Sequence, residues 1–275
     1  MPPRPSLTVV GSVNLDLVAR CERLPRPGET VTDAEFARIP GGKGANQAVA
    51  AARLGADVKF IGCVGKDEFG DEALAALVEA GVELDVSRVS EATGVALILV
   101  DAEGETEIVV VPGANLELIP TQVSGAALAQ LEIPLAVVEA AADGAEFFCL
   151  NAAPARPIPA DLVQRCDLVV VNRYELETLP ATPRLTALTL GEEGAVLLEE
   201  GEEIVRARPP EVDAVDGTGA GDAFTACLVV SLLEGREREE ALRRACAAGA
   251  LAASRRGAQP SLPTAAEVDE ILRSP

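Results

Sequence analysis

The amino-acid sequence predicts an α/β protein: a parallel-centred sheet with helices on both faces, plus a small β-sheet lid. Apolar β-branched runs alternate with Ala/Leu-rich amphipathic stretches from end to end, the pattern of helices crossing between parallel strands. Runs such as DLVVVN (167–172) are apolar without alternation, as strands covered on both faces must be. Residues 94–111, GVALILVDAEGETEIVVV, break the rhythm with two apolar runs around a short acidic turn, a hairpin with no helix between.

The first strand is expected at 7–13, where LTVVGSV is apolar and β-branched. Residues 14–40 carry Pro25, Pro27 and Gly28 and lack helical periodicity. With 94–111 they form the expected lid, leaving 1–13, 41–93 and 112–275 as the main domain. Ala-rich sequence predicts a helix over 45–54, and VKFIGCV a strand over 58–64. DEALAALVEA predicts a helix over 71–80, LAVVEAAA one over 135–142, and EFFCL a strand over 146–150. Three further apolar runs predict strands at 168–172, 185–190 and 195–199. Amphipathic or Ala-rich stretches predict the last helices at 220–233, 239–254 and 265–272. Between the strands ending at 172 and starting at 185, Pro180 and Pro183 stop the helical run YELETL. That connection sits at the minimum of about a dozen residues that a parallel crossover needs.

With 275 residues the chain is near the upper end of a single α/β core, and 48% of it is hydrophobic. Aromatics are only 3%, so Val, Leu, Ile and Ala must fill the interior. No apolar run approaches the ~20 residues of a membrane span. The N-terminal MPPRPSLTVVGSV lacks a signal peptide's apolar stretch, so the cytoplasm is the expected compartment. Six scattered cysteines without a CxxC pair read as buried reduced thiols, not as a disulfide frame or zinc site. The absence of histidine removes Ser-His-Asp and Cys-His nucleophile systems and every imidazole metal site. A net charge of −21 argues against nucleic acid or an anionic membrane as partner. A bound nucleotide would need a locally positive site made from backbone amides, a lysine or Mg²⁺.

The sharpest motif is DAVDGTGAGDAF at 213–224, running straight into a helix. Its glycines allow close backbone approach to a ligand, and the helix N-terminus offers free N–H groups to an anion. Asp222, in the first turn, is placed to take a proton from a hydroxyl attacking a bound phosphoryl group. On local grounds alone, Asp216 could equally be a cap and Asp222 an acid complementing the helix dipole. PGGKGANQ (40–47) opens another helix with Lys43 and Asn46 at its start, groups that suit a polyhydroxyl or phosphate ligand. A tight turn with a solvated lysine would read the same, and no Walker A loop is formed, because glycine follows Lys43. GSVNLD (11–16) is expected to end the first strand with Asn14 and Asp16 on one face, where open α/β sheets bind ligands.

GSVNLD, PGETV, PGGKGANQAVAAARLGA, NRYE, DGTGAGDAF and GAQPSLP follow one another in the order seen in the ribokinase family of carbohydrate kinases. From about Val10 to about Pro263 the chain resembles that family. The resemblance implies a ribokinase-like fold and an ATP-dependent sugar kinase, with Mg²⁺ carried by ATP and K⁺ as activator. Ribose is the implied substrate; deoxyribose, another sugar or a nucleoside are the alternatives. A catalytically inactive sugar sensor is opposed by retention of Asp222 and the glycines before it. The resemblance further implies Asp222 as base and the amides of Gly219, Ala220 and Gly221 as anion hole. It implies Asn14, Asp16, Gly42, Lys43, Asn46 and Glu132 as sugar-binding, and Asn172 and Glu175 as organisers of Mg²⁺ and phosphate through water. Thr189 and Gly191 fall where the family's nucleotide site begins. Asp216, Thr218, Ala252, Arg255, Gly257 and Ser261 match positions that hold potassium, several by backbone carbonyl. A homodimer joined through the lid is also expected. Members of the family usually carry a longer helical segment where this chain has only 173–184.

Overall fold

The computed structural model describes residues 4–273; residues 1–3 and 274–275, expected in the main domain, lie outside the described residues. The chain opens with β1 (Ser6–Val10) and then leaves the main sheet, β2 (Asn14–Arg20) and β3 (Glu35–Gly41) pairing antiparallel in a second one. The strand expected at 7–13 therefore stops at Val10. Its end is set by close packing at Gly11, where a methyl group would come within 2.7 Å of the Gly44 backbone and 2.2 Å of Gln130 Oε1. Asn14 and Asp16 thus start β2 instead of ending β1, and still share a face.

Helix α1 (Lys43–Arg53) begins two residues before the expected 45, because Gly42 at φ 88° turns the chain and the Glu132 carboxylate accepts the Lys43 N–H at 3.1 Å. β4 (Asp57–Gly65) follows, then α2 (Glu68–Glu79), which starts at Glu68 because Asp67 caps it by accepting the Gly70 N–H at 3.0 Å. β5 (Glu83–Val89) reads locally as an alternating polar segment and closes one edge of the main sheet. β6 (Gly94–Val100) and β7 (Thr106–Val111) form the antiparallel hairpin. β8 (Ala126–Gln130), α3 (Leu135–Gly144), β9 (Phe147–Asn151), α4 (Ala160–Arg165) and β10 (Leu168–Asn172) continue the βα alternation. α5 (Arg173–Thr178) leads to β11 (Leu185–Thr189) and the hairpin of β12 (Ala195–Glu199) and β13 (Glu202–Ala207). The chain ends in α6 (Ala220–Leu233), α7 (Arg238–Ala253), the short α8 (Ala258–Ser261) and α9 (Ala265–Ile271).

Among the described residues the main sheet has nine strands, ordered β13-β12-β11-β10-β9-β8-β1-β4-β5 and parallel except at β12 and β13. The strands carry apolar side chains on both faces. Leu168 and Val170 join one core layer with α1, α6 and α7, whereas Val169 and Val171 join the other with α3 and α4. β10 and β11 pair in parallel despite the short connection; Leu176, Leu179 and Ala181 pack partly buried over the second layer. The second sheet, β3-β2-β6-β7, stands over the carboxyl ends of the central strands. All six cysteines are free thiols. No helix among the described residues is long and apolar enough to cross a membrane.

Candidate active site

Between the two sheets lies a cleft of about 1140 Å³, bounded by the small sheet, the N-terminus of α1 and the loop before α6. Asp222 stands on the first turn of α6 and is only 7% exposed. Asn46 Nδ2 donates to one of its carboxylate oxygens at 2.8 Å and Gln47 Nε2 to the other at 2.9 Å. Burial raises the Asp222 pKa; Lys43 and the two amide donors oppose that rise without cancelling it. Burial pulls the Lys43 ammonium the other way, yet Asp222, Glu132 and Glu175 hold it above its ordinary value, so it stays charged.

Asn14 and Asp16 reach the cleft from β2, which pairs with Gly41 and Ile39 of β3. Gly41 has no room for a side chain, since a methyl there would sit 2.3 Å from the Asp16 carboxylate. Asp16 is pushed up to about 7 by burial first and then by the charges of Glu132 and Asp222. Glu132 accepts Ser12 Oγ–H at 2.5 Å as well as the Lys43 amide, so one carboxylate joins β1's end to α1's start. Asn115, absent from the sequence reading, donates to Asn14 Oδ1 at 2.8 Å and fixes that side chain.

The loop into α6 forms another wall of the cleft. Gly219, at φ 80°, caps the helix and packs within about 3.2 Å of Ala258 if given a methyl, so the fold itself requires glycine there. Gly217 and Gly221 are different: a methyl on either would meet nothing within 4 Å, and both line the cleft. Protein packing therefore leaves these two positions open, and the space suits a ligand's phosphate. The Ala220 N–H is turned onto the Gly217 carbonyl at 3.2 Å, a contact a phosphate oxygen would have to displace.

Asn172 and Glu175 form a reciprocal cap of α5, with Glu175 Oε2 accepting the Asn172 N–H at 2.9 Å and Asn172 Oδ1 the Glu175 N–H at 2.8 Å. Both border the cleft, and among the described residues no group of three or more Asp, Glu or Cys side chains could hold a metal. The side-chain oxygens of Asn172 and Glu175 are of the kind that meet a hydrated Mg²⁺ through water. Thr189 borders the cleft, while Gly191 lies exposed in the turn beyond it.

Asp216 ties two loops together by accepting the Thr218 N–H at 3.0 Å and the Gly257 N–H at 2.9 Å. Burial alone would raise its pKa, but these donors and Arg20, 3.7 Å away, leave it below the ordinary carboxylate value. An ionised carboxylate flanked by carbonyl-bearing loops fits a monovalent cation. The other members of that expected set are spread wider. Ala252 is buried at the end of α7, Ser261 Oγ donates to the Ala258 carbonyl at 2.7 Å, and the Arg255 side chain turns to Glu267 at 2.5 Å. Only the backbone of Arg255 is left for such a role. Arg20 links the small sheet to the α6 loop, a contact that local sequence gave no means of pairing.

Comparison with known proteins gives a consistent picture. The family model described as pfkB family carbohydrate kinase matches residues 4–265. A ribokinase of Bacillus subtilis is 37% identical over 295 residues, covering 97% of this chain and 99% of its own. A ribokinase of Haemophilus influenzae is 36% identical over 303 residues, covering 98% and 99%. The structure of Arabidopsis thaliana ribokinase complexed with ribose and ATP superposes with a TM-score of 0.87 at 33% identity, covering 99% of this chain and 100% of that one.

Proposed function

The chain belongs to the pfkB family of carbohydrate kinases, and from that premise we propose that it phosphorylates the 5-hydroxyl of D-ribose with ATP, giving ribose 5-phosphate. The observation that carries the reading is the buried Asp222 carboxylate, held by two amide donors beside the open positions of Gly217 and Gly221. In this reading ribose lies under the small sheet, its hydroxyls bonded to Asn14, Asp16, Gly42, Lys43, Asn46 and Glu132. Asp222 takes the proton of the 5-hydroxyl as that oxygen forms its bond to the γ-phosphorus. The bond from phosphorus to the β,γ-bridging oxygen breaks, and ADP leaves. The amides of Gly219, Ala220 and Gly221 and the Lys43 ammonium take up the charge on the phosphoryl oxygens. Asn172 and Glu175 would hold the water shell of a Mg²⁺ ion carried by ATP, which would supply charge neutralisation on the phosphates. Thr189 and Gly191 would start the nucleotide's seat.

The small sheet acts as a lid whose closure excludes water from the transfer. Asp216 with oxygens of Thr218, Ala252, Arg255, Gly257 and Ser261 would hold a potassium ion beside the α6 loop. β7 leaves Ile108, Val109, Val110 and Val111 exposed on an edge strand, which favours a homodimer through the lid. The cytoplasm, where ATP is at hand, is the compartment this reading assigns.

A panel of ribose, deoxyribose, fructose and adenosine, incubated with ATP and Mg²⁺ in potassium and in sodium buffers, tests it. Ribose 5-phosphate is expected as the leading product, formed faster in potassium. A higher kcat/KM for deoxyribose would replace ribose as substrate. Sugar binding without any product would return the chain to a sensor.

A further inference from the structure

Gln47 is fully buried, with no exposed surface, in an Ala-rich stretch of α1 where an apolar residue would be the ordinary choice. All of its hydrogen-bonding capacity on the amide nitrogen is spent in two directions. Nε2 donates to Asp222 at 2.9 Å and to Asn151 Oδ1 at 2.9 Å. Its Oε1 accepts from Gln130 Nε2 at 2.6 Å, and Asn151 Nδ2 in turn donates to the Val170 carbonyl at 3.2 Å. Gln130 and Asn151 end the neighbouring strands β8 and β9, and both are buried. These contacts orient the amide. A flipped Gln47 would set its oxygen against the Asp222 carboxylate and its NH₂ against that of Gln130, two repulsive pairs at once.

We propose that Gln47, aimed by Gln130 and Asn151, is a positioning residue for the Asp222 base: it fixes the carboxylate's direction and favours its ionised form. The inference rests on the reading of Asp222 as base. A donor to a carboxylate stabilises the charged form, and in a buried site few other groups do so. Around Asp222 the charged neighbours are Lys43 on α1, Glu132 after β8 and Asp16 on β2. Burial and the two carboxylates oppose ionisation, while Lys43 and the amide donors favour it, so each donor lost leaves the charged form less supported. Asn46 supplies one donor from the cleft side, where the sugar also binds. Gln47 supplies the other from the protein interior, anchored to the sheet and out of the sugar's reach.

The experiment uses the full chain with ribose and ATP. Gln47→Met keeps side-chain length and removes the donor; Gln47→Glu keeps the shape but replaces the NH₂ by oxygen. Both are expected to lower kcat roughly 10- to 100-fold, the worth of one hydrogen bond to a charged group. KM for ribose and ATP is expected to change far less. The acid limb of the kcat profile moves to higher pH, since a base that has lost a donor takes up its proton sooner as pH falls. Gln130→Leu, which frees the amide without touching Asp222, is expected to shift the profile the same way by less. In an Asp222→Asn background Gln47→Met costs nothing further. A folded Gln47→Met protein, judged by thermal melting, with kcat within about twofold of wild type and an unmoved acid limb overturns the proposal. If instead Asp222→Asn itself retains turnover, the base assignment fails and Gln47 falls with it; the two failures are told apart by that single variant. Should Gln47→Met not fold, the Gln130→Leu profile decides alone, an unmoved limb counting against the proposal.

Discussion

Asp16 shows how a single carboxylate can make sugar affinity depend on pH. Burial and the charges of Glu132 and Asp222 push it up to about 7, so in the empty protein it carries a proton through mildly acidic conditions. Its folded pKa lies above the ordinary value of 3.8, so it stabilises the empty protein fully below that value, and the contribution is lost as pH rises through about 7. Ribose hydroxyls donate to the ionised form. KM for ribose is therefore expected to rise as pH falls below about 7 while KM for ATP stays nearly constant. Asp16→Ala is expected to raise KM for ribose by roughly 10-fold or more, the loss of a hydrogen bond to a charged group, and to flatten its pH dependence. A ribose KM that is level across the range, or equal losses for sugar and ATP, would make Asp16 a structural residue.

At the scale of elements, α1 and α6 bring their first turns to the same cleft by different means. α1 packs so closely on the β1–β2 link that a methyl at Gly44 would lie 2.6 Å from the Gly11 and Ser12 backbone. Gly44→Ala is expected to destabilise the protein by about 1–3 kcal/mol and to displace Lys43, Asn46 and Gln47 together. Gly221, inside α6 with open space before it, predicts the reverse sign. Gly221→Ala is expected to raise stability by up to about 1 kcal/mol through helix propensity, yet to lower kcat by crowding the phosphate. Thermal melting and steady-state rates on the two variants separate the roles. A Gly221→Ala enzyme with full activity would mean that no ligand group approaches that turn. At the crossover after β10, Leu176 of the six-residue α5 and Leu179 and Ala181 beyond it cover the sheet.

For the whole molecule, the small sheet is joined to the main body by polar ties that include Arg20 to Asp216 and Arg38 to Glu72 at 3.2 Å. Its edge strand β7 is exposed along its full length, and Phe36 and Leu97 add apolar surface on the outer face. An uncovered apolar edge of this kind is normally protected by charge, proline or a partner, and here only Thr106 and Glu107 interrupt it. Sedimentation of the wild-type protein is expected to give a dimer. Val109→Glu, on an exposed position that the single chain's core does not use, is expected to shift it toward monomer without loss of secondary structure. A wild-type monomer at micromolar concentration would remove the dimer from the proposal.

The sequence by itself determined the alternation of strands and helices, the hairpin at 94–111 and the two glycine-rich helix starts. These are local properties: periodicity, propensity and turn chemistry act over a few residues. α6 and the strands at 168–172 and 195–199 match their expected bounds for that reason. β8, AALAQ, and β13, EEIVRA, escaped notice because neither alternates cleanly nor is rich in β-branched residues; pairing with neighbours makes them strands. Only the tertiary structure decided that β1 ends at Val10, sending Asn14 and Asp16 into the second sheet, because Gly44 must pack against Gly11. It alone brought Gln47 to Asp222 across 175 residues, and Gln130 and Asn151 to Gln47. A polar residue inside an Ala-rich helix was the one local sign of that network. Which groups satisfy a buried amide depends on what the fold sets beside it, and no window of sequence contains that information.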